Sequence, residues 1–228
     1  MLLKRVFAIA DIHGCNKTLR ALVDKIVPTK EDQLIFLGDY IDRGPDSRGV
    51  LNYLISLKEQ FRNSILLRGN HEQMFLESNL SPMAHERWIE NGGEQVMMSY
   101  GLKNYDQVPH HIEEFISATE YCYQSKKHIC VHAGLNHLSS DPLNDYQSMM
   151  WIRNFSVTKK LTGGKIVVHG HTPTTLAEIE EQIVTSSANL KICLDNGCVY
   201  KGKHKSMGNL LALELNTNAL LIQPNIDF

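Results

Sequence analysis

The 228 residues of this chain carry a formal net charge of -2, and 43% of them are hydrophobic and 21% charged. These values are ordinary for a globular protein and exclude the strongly basic field that attracts nucleic acid or an anionic membrane. The five cysteines include no CxxC pair, and no apolar run approaches the roughly 20 residues that a membrane-spanning helix needs. We therefore expect a cytoplasmic protein with reduced cysteines that binds neither nucleic acid nor a membrane.

The first predicted strand leads directly into a candidate ligand loop. Val6 to Ala10 form an apolar run of strand length that ends at Asp11-Ile12-His13-Gly14. An Asp and a His two positions apart on one loop can both reach one cation. Helical spacing then predicts a helix from Asn16 to Ile26, with Asn16 as its N-cap, followed by a strand from Leu34 to Leu37. The alternation of strand and helix indicates an α/β protein with a partly parallel sheet.

The second predicted strand ends in the segment Gly38-Asp39-Tyr40-Ile41-Asp42-Arg43-Gly44. Two carboxylates and a guanidinium would be costly in a core, but at a strand end an acid can hold a metal and the Arg an anion. The alternative is a solvated turn with a salt bridge. A helix beginning at Pro45-Asp46-Ser47 follows, and a third strand, Ser64 to Leu67, ends in Arg68-Gly69-Asn70-His71-Glu72.

Residues 72–125 show mostly helical patterns, which predict a helical excursion beside the sheet. Strand character then resumes. His128 to Val131 precede His132-Ala133-Gly134, and Lys165 to Val168 precede His169-Gly170-His171. A polar cluster at the end of several successive strands is difficult to explain by core packing.

Short β runs dominate the C-terminal part of the chain. They are Lys191 to Asp195, Cys198 to Tyr200, Leu210 to Leu215 and Ala219 to Ile222. Turns at Asn196-Gly197 and Asn216-Thr217-Asn218 favour hairpins between these runs. The pattern predicts a second, more antiparallel sheet.

Six oxygen and nitrogen donors lie at the predicted strand ends: Asp11, His13, Asp39, Asn70, His132 and His171. Such donors, without a thiolate, suit Mn, Fe or Zn better than Ca or Mg. They are too many for one closed zinc site, but they suit two ions that share a bridging carboxylate. Two such ions activate a bridging water and hold phosphoryl oxygens, so no nucleophilic side chain is needed.

The chain contains five motifs in a fixed order: Asp11-Ile12-His13-Gly14, the segment from Gly38 to Gly44, Gly69-Asn70-His71-Glu72, His132-Ala133-Gly134 and Gly170-His171. This series resembles the calcineurin-like metallophosphoesterases. More narrowly, it is similar to the bacterial and viral branch of the phosphoprotein phosphatase family of serine/threonine phosphatases. The resemblance implies an α/β (α+β) fold, in which two mixed β-sheets form a sandwich flanked by helices. It implies a single metallophosphoesterase domain over residues 1–228, with residues 72–125 as the helical excursion and a dinuclear metal site at the strand ends.

The resemblance also implies a role for each site residue. Asp11 and His13 would bind the first metal, Asp39 would bridge, and Asn70, His132 and His171 would bind the second metal. His71 would be the general acid, with Asp42 orienting it and raising its pKa. Four residues would bind the substrate phosphate: Arg43, Arg153, Asn70 and His71.

The implied activity is that of a phosphomonoesterase that uses two divalent transition-metal ions, with Mn expected first and Fe or Zn as alternatives. Its substrate would be a phosphorylated protein or a small phosphoester. Phosphoserine, phosphothreonine and, in a dual-specificity enzyme, phosphotyrosine would be hydrolysed by a metal-bridged hydroxide. The sequence does not predict an oligomeric state.

Two other functions compete with this one. Within the same fold, the alternative is a symmetrical dinucleoside polyphosphate hydrolase acting on diadenosine tetraphosphate. The bacterial tetraphosphatases that resemble this chain tend to lack an acid at the position of Asp42, and a phosphoanhydride needs a weaker acid than a monoester does. The third interpretation is a non-catalytic phosphate-binding protein, which the complete set of expected ligands disfavours.

Structural explanations are favoured at several other positions. Asn91-Gly92-Gly93 is typical of a helix-ending turn, although a place at the rim of the site is the alternative. His169 is expected to support the site rather than to bind metal. The tryptophans, Trp88 and Trp151, are expected in the core. Asp195-Asn196-Gly197-Cys198 is expected first as a hairpin turn, although it resembles a segment that lies near the site in the family.

Overall fold

The structure is a computed structural model that describes residues 4–103 and 107–228. In chain order, its strands and α-helices are β1 (Val6–Ile9), α1 (Asn16–Ile26), β2 (Gln33–Phe36), α2 (Ser47–Gln60), β3 (Ile65–Leu66), α3 (Asn70–Glu77), α4 (Pro82–Trp88), α5 (Glu94–Tyr100), α6 (His110–Ser117), β4 (Cys122–Gln124), β5 (His128–Val131), α7 (Tyr146–Trp151), α8 (Lys159–Thr162), β6 (Ile166–His169), α9 (Leu176–Asn189), β7 (Lys191–Cys193), β8 (Asn209–Glu214) and β9 (Ala219–Pro224). A π-helix, Ile89–Gly93, lies between α4 and α5, and a 3-10 helix, Cys198–Tyr200, lies between β7 and β8.

The strands form two mixed sheets, as predicted from the resemblance. The first sheet has the order β3-β2-β1-β8-β9 and the second the order β4-β5-β6-β7. In the first, β1, β2 and β3 are parallel, whereas β8 is antiparallel to both of its neighbours. In the second, β5, β6 and β7 are parallel and β4 is antiparallel to β5. Because the parallel strands of a sheet all end at one edge, the loops after them are gathered there.

The prediction of a separate antiparallel C-terminal sheet is wrong. Strand β7 pairs in parallel with β6, whereas β8 and β9 complete the first sheet through pairs such as Ile9 with Ala212. The turn at residues 215–218 does join β8 to β9. Asn196, by contrast, forms an isolated bridge with Asn209 instead of a hairpin turn.

Two local predictions also need correction. Cys198 to Tyr200 form a 3-10 helix rather than a strand, and the carbonyl of Cys198 accepts a hydrogen bond from Asn225 Nδ2 at 2.8 Å. The N-cap of α1 is Cys15 rather than Asn16, whose side chain donates to Asp46 at 2.7 Å. In both cases the local pattern does not decide the structure, because the group concerned is hydrogen-bonded to a residue that is about 30 positions away in the sequence.

Helices α1 and α2 cover part of the first sheet because each has one apolar face. The buried face of α1 contains Leu19, Leu22 and Ile26, and this helix contacts strands β8 and β9. The Asp46 side chain caps α2 by accepting from the amide of Gly49 at 2.8 Å. Helices α3 to α6 and the π-helix lie between β3 and β4. None of the helices in the described ranges combines the length and apolar character needed to cross a membrane.

Candidate metal centre and active site

The six predicted metal ligands lie on loops that follow five different strands. Each of them is buried, with no more than 7% of its surface exposed: Asp11, His13, Asp39, Asn70, His132 and His171. The first sheet supplies the first four of these residues and the second sheet supplies the two remaining histidines. The candidate centre therefore spans the boundary between the two sheets.

One group of donors is centred on His132. Its Nε2 atom lies 3.0 Å from Asn70 Oδ1, 3.2 Å from His171 Nδ1 and 3.4 Å from Asp39 Oδ1. The other ring nitrogen, Nδ1, lies 2.9 Å from the carbonyl of Leu37, so we assign the proton to it. This assignment directs the lone pair of Nε2 towards the other donors, as a metal ligand requires.

A second group of possible ligands lies at the other carboxylate oxygen of Asp39 and consists of His13, Asp39 and His71, whereas Asp11 contacts the loop of His171. Nε2 of His13 is 3.5 Å from Asp39 Oδ2, and its Nδ1 is 2.9 Å from the carbonyl of Ile41. Asp11 Oδ2 accepts from the amide of His171 at 2.9 Å. Asp11 Oδ1, also buried, has no hydrogen-bond partner in the described part of the chain. A buried carboxylate oxygen without a partner is costly, so these residues fit a bound cation.

The electrostatics of the two groups also favour cations. Burial lowers the pKa of His13 to about 4 and that of His171 to about 3, which keeps both imidazoles neutral, as metal binding requires. Burial opposes ionisation of Asp39 too, but the neighbouring imidazoles outweigh it and hold its pKa well below the usual range. Burial likewise lowers the pKa of His132, yet the charge of Asp39 reverses this and raises it to about 10. Without an ion, a proton on His132 balances the charge of the shared carboxylate, and a cation bound at Nε2 would displace that proton.

The backbone of the site is strained at five residues. His13, Asp39, Asp42, Arg43 and His171 all have positive φ angles, between 45° and 70°. This region is costly for residues with a Cβ, by about 1–2 kcal/mol each. Surrounding hydrogen bonds hold the loops in place; for example, the carbonyl of Asp39 accepts from the amide of His13 at 2.9 Å. Strain of this kind is concentrated at functional sites.

Glu72 holds the central loop, although its side chain is not among the predicted site residues. It is fully buried, and Oε2 accepts from the amides of Asp39 at 2.8 Å and Gly69 at 3.0 Å. Its Oε1 accepts from the amide of Tyr40 at 2.8 Å. The sequence signal is its position three residues after Gly69, the N-cap of α3, where a Glu side chain can accept from the N-cap amide. This side chain therefore fixes the backbone that carries the shared carboxylate.

The predicted pair of His71 and Asp42 is in contact. His71 Nδ1 lies 2.6 Å from Asp42 Oδ2, and the other carboxylate oxygen accepts from Trp88 Nε1 at 3.0 Å. Both members of the pair are buried. We predicted that Asp42 would raise the pKa of His71, but burial of the imidazole lowers it. Burial also raises the pKa of Asp42. Both shifts favour a single proton held between His71 Nδ1 and Asp42 Oδ2 over a buried ion pair.

The two predicted phosphate-binding arginines differ in position. Arg43 lies inside the site, where Nη1 is 2.8 Å from His13 Nε2 and its amide donates to the carbonyl of Gly92 at 3.2 Å. Arg153 is exposed, just beyond the end of α7. Its charge nevertheless adds to burial in lowering the pKa of His171. The structure thus places one guanidinium among the candidate ligands and the other at the rim.

Residues 4–218 match the sequence model of the family described as calcineurin-like phosphoesterase. The chain belongs to this family. A segment of 92 residues is 38% identical to serine/threonine-protein phosphatase 1 of Salmonella typhimurium and covers 40% of each chain. Another, of 133 residues, is 26% identical to a symmetrical bis(5'-nucleosyl)-tetraphosphatase of Nitrosospira multiformis and covers 57% of this chain and 43% of that protein. The matched segments therefore span less than half the length of these relatives.

Solved structures support the same fold. One, described as a candidate diadenosine tetraphosphatase, has a TM-score of 0.68 at 20% identity and covers 98% of this chain and 95% of that chain. Another is the cold-active protein-tyrosine phosphatase of a Shewanella species, with a TM-score of 0.63 at 20% identity, covering 99% of this chain and 79% of that chain. At this level of identity, the likeness shows the calcineurin-like fold alone.

Three further residues of this phosphoesterase lie beside the predicted site residues. Trp88 is in the core, as expected, but its indole also supports Asp42. Asp195 is buried rather than in a hairpin turn, and its charge adds to burial in raising the pKa of Asp11. His169 lies beside the site with Nε2 buried and without a hydrogen-bond partner among the described residues. A buried indole N–H and a buried carboxylate both require polar partners. Once Trp88 and Asp195 are known to be buried, this requirement indicates that each has a polar partner.

Proposed function

We propose that this phosphoesterase is a metal-dependent phosphomonoesterase that removes phosphate from phosphoserine and phosphothreonine, and in a dual-specificity role phosphotyrosine, in proteins. The observation that carries the proposal is the contact of 2.6 Å between His71 Nδ1 and Asp42 Oδ2. Hydrolysis of such a monoester expels an alkoxide, which is a poor leaving group unless a proton reaches it. A carboxylate-supported imidazole is suited to that task.

Two groups of possible ligands share Asp39, one with His13 and His71 and the other with His132 and His171. We propose that two divalent ions bind there, with Asp11 and not the acid His71 completing the first site. Asp11 and His13 would hold the first ion, and Asn70, His132 and His171 the second. Oxygen and nitrogen donors of this kind favour Mn, with Fe or Zn as alternatives. When bound, such ions withdraw negative charge from phosphoryl oxygens and lower the pKa of water.

The chain's own residues would position the phosphate and deliver the proton. The Arg43 guanidinium, already among the ligands, can fork onto two phosphate oxygens, and Arg153 approaches from the rim. Asn70 and His71 lie at the start of α3, beside the same position. Because Asp42 engages Nδ1 of His71, its Nε2 remains to donate to the leaving oxygen, and this atom lies 3.9 Å from Asp39 Oδ2.

The first experiment measures phosphate release by metal-stripped protein with and without added Mn²⁺. The substrates are a phosphothreonine peptide and diadenosine tetraphosphate, compared side by side. We expect Mn-dependent release from the peptide at a higher kcat/KM than from the dinucleotide. Hydrolysis of the dinucleotide alone would refute the phosphoprotein proposal and leave the proposed ligand set intact.

A variant tests the role of His71 within this proposal. We expect His71→Asn to lower kcat on the phosphothreonine peptide by about 10² to 10⁴, because the alkoxide then leaves without a proton. The loss on p-nitrophenyl phosphate should be far smaller, since nitrophenolate needs little protonation. Equal losses on both substrates would rule out the acid role.

A second candidate function is symmetrical hydrolysis of diadenosine tetraphosphate. It is favoured by the match to the Nitrosospira tetraphosphatase and by the solved structure of which this chain covers 95%. We place it second because a phosphoanhydride has a good leaving group and has less need of the His71 and Asp42 pair.

Three broader proposals accompany the function. We propose a cytoplasmic location, because all five cysteines lie free in the structure. A formal net charge of -2 favours a protein that binds neither nucleic acid nor a membrane. Residues 1–228 are proposed to act as one domain, since the candidate centre takes ligands from both sheets.

A further inference from the structure

A basic cavity of about 270 Å³ lies on the side of the site that carries Arg153. It is lined by His137, Arg153, Asn154, Phe155, Ser156 and Lys191. None of these lining residues is acidic. The cavity is therefore lined by two positively charged side chains, Arg153 and Lys191, and by several polar groups.

The floor of the cavity is built on the loops that carry the candidate metal ligands. The Phe155 ring packs so closely on the loop after His132 that a Cβ on Gly134 would collide with it. The same ring lies 5.1 Å from the ring of His169, and Lys191 Nζ lies 4.8 Å from its centroid. Phe155 thus joins the cavity to the part of the site that holds His132 and His171.

The two cations of the cavity lack carboxylate partners. In the described part of the chain, neither Arg153 nor Lys191 forms an ion pair. The Lys191 ammonium lies over the Phe155 ring and makes one long hydrogen bond, of 3.5 Å, to the Phe155 carbonyl. Two positive charges beside one cavity repel each other unless an anion joins them. A second cavity, of about 320 Å³ beside Arg43, differs because Glu90 lines it together with Lys203.

The basic cavity lies next to the loop that carries His171. The Phe155 ring lines the cavity and lies 5.1 Å from the ring of His169, which precedes the proposed ligand His171 by two residues. His169 is the last residue of β6, and His171 lies on the loop that follows this strand. An anion held in the cavity would consequently lie beside the group of donors centred on His132.

We propose that this cavity binds a second anionic group of the substrate, a carboxylate or phosphate attached some residues or atoms away from the scissile phosphoryl group. The proposal rests on the proposed function, since it assigns an acidic flanking sequence to the phosphopeptides that the enzyme prefers. Arg153 has five N–H donors and can serve both anions at once, whereas Lys191 reaches the second anion alone. Lys191 is therefore the residue that sets the preference.

The test compares phosphothreonine peptides that carry Glu or, in matched peptides, Gln at positions on either side of the phosphorylated residue. For the wild-type protein, we expect the best-placed Glu to lower KM by about 10-fold, with kcat changing by less than 2-fold, because the extra contact is made equally in the ground and transition states. Lys191→Gln should reduce that preference to less than 2-fold. Lys191→Arg, which keeps the charge, should retain most of it.

A matched control removes the same charge elsewhere. Lys160 is exposed on α8 and does not line the cavity. Lys160→Gln should leave the preference for the acidic peptide as it is in the wild type. If Lys160→Gln lowers the preference as much as Lys191→Gln, the effect comes from net charge and the subsite is refuted. If Lys191→Gln does not fold, the comparison of Glu and Gln peptides with the wild-type protein still tests the subsite, because equal KM values for the two peptides would refute it.

The same variants on diadenosine tetraphosphate separate this proposal from the proposed function. If the peptides are not hydrolysed but Lys191→Gln raises KM for the dinucleotide about 10-fold, the subsite stands and the phosphoprotein function is refuted. If the peptides are hydrolysed with no effect of Glu and no effect of Lys191→Gln, the function stands and the subsite is refuted.

Discussion

The close approach of Gly92 to Arg43 leads to a sharp prediction about the variant Gly92→Ala. Gly92 has a φ angle of 108°, and its carbonyl accepts the amide of Arg43 at 3.2 Å. A Cβ at this position would lie 2.7 Å from the Arg43 amide nitrogen and 2.8 Å from its Cγ. The added methyl group therefore meets the backbone that carries the phosphate-binding guanidinium.

The size of the effect follows from this geometry. Ordinary contacts of a Cβ begin near 3.4 Å, so the Arg43 backbone must move by about 0.7 Å. A misplacement of about 1 Å at a reacting group can cost about 10² in rate. We expect Gly92→Ala to lower kcat/KM on p-nitrophenyl phosphate by about 10 to 10², with phosphate inhibition weakened in parallel. The backbone strain adds about 1–2 kcal/mol of destabilisation.

Gly101→Ala is the matched control. Gly101 also has a positive φ angle, of 67°, but a Cβ there would meet no atom of residues 4–103 and 107–228 within 4 Å. It should lose a comparable 1–2 kcal/mol of unfolding free energy, measured by urea denaturation, and keep its kcat/KM. If Gly92→Ala is no less active than Gly101→Ala, the π-helix does not position Arg43, and the reasoning fails.

Three further variants test the site and its supports. Trp88→Phe should lower the free energy of unfolding in urea by about 2 kcal/mol, because Asp42 loses a buried donor; an unchanged midpoint would contradict this. Asp39→Asn should lower the number of bound ions per protein molecule, measured by elemental analysis, from two towards zero. Loss of one ion alone would exclude a bridging role for Asp39. Burial raises the pKa of Asp32, but hydrogen bonds, including one from Arg5 at 2.6 Å, outweigh it and lower the pKa. Its stabilisation is therefore full above the unfolded pKa near 4 and is lost as pH falls through the lower folded value. Asp32→Asn should accordingly cost about 1 kcal/mol in urea at pH 7 and little at pH 2.

Local sequence patterns were sufficient for the strand and loop units of the site. An apolar run followed by Asp, Asn or His predicts a strand that ends at a candidate site residue. This prediction is correct for the strands that precede Asp11, Asp39 and Asn70. The structure then showed these residues close together because parallel strands end at one edge. The chemical roles of the residues remain predictions.

Strand partners and buried polar contacts could not be predicted in the same way. Ile9 pairs with Ala212, about 200 positions away, and no local pattern specifies that choice. Trp88 and Asp42 are separated by 46 positions, so their hydrogen bond depends on how the end of α4 packs against the central loop. The apolar character of Trp88 predicted its burial correctly but not the partner of its N–H.

The spread of the ligands along the chain has a consequence for biosynthesis. Asp11 emerges from the ribosome first, but His171 follows 160 residues later and lies in a different sheet. At about 5–20 residues per second, this interval lasts on the order of 10 s, during which the early carboxylates have no complete partner set. The first sheet closes later still, when β8 pairs with β1. Loading of the proposed ions therefore follows the synthesis of strands from both sheets, and the metal must be supplied after that point.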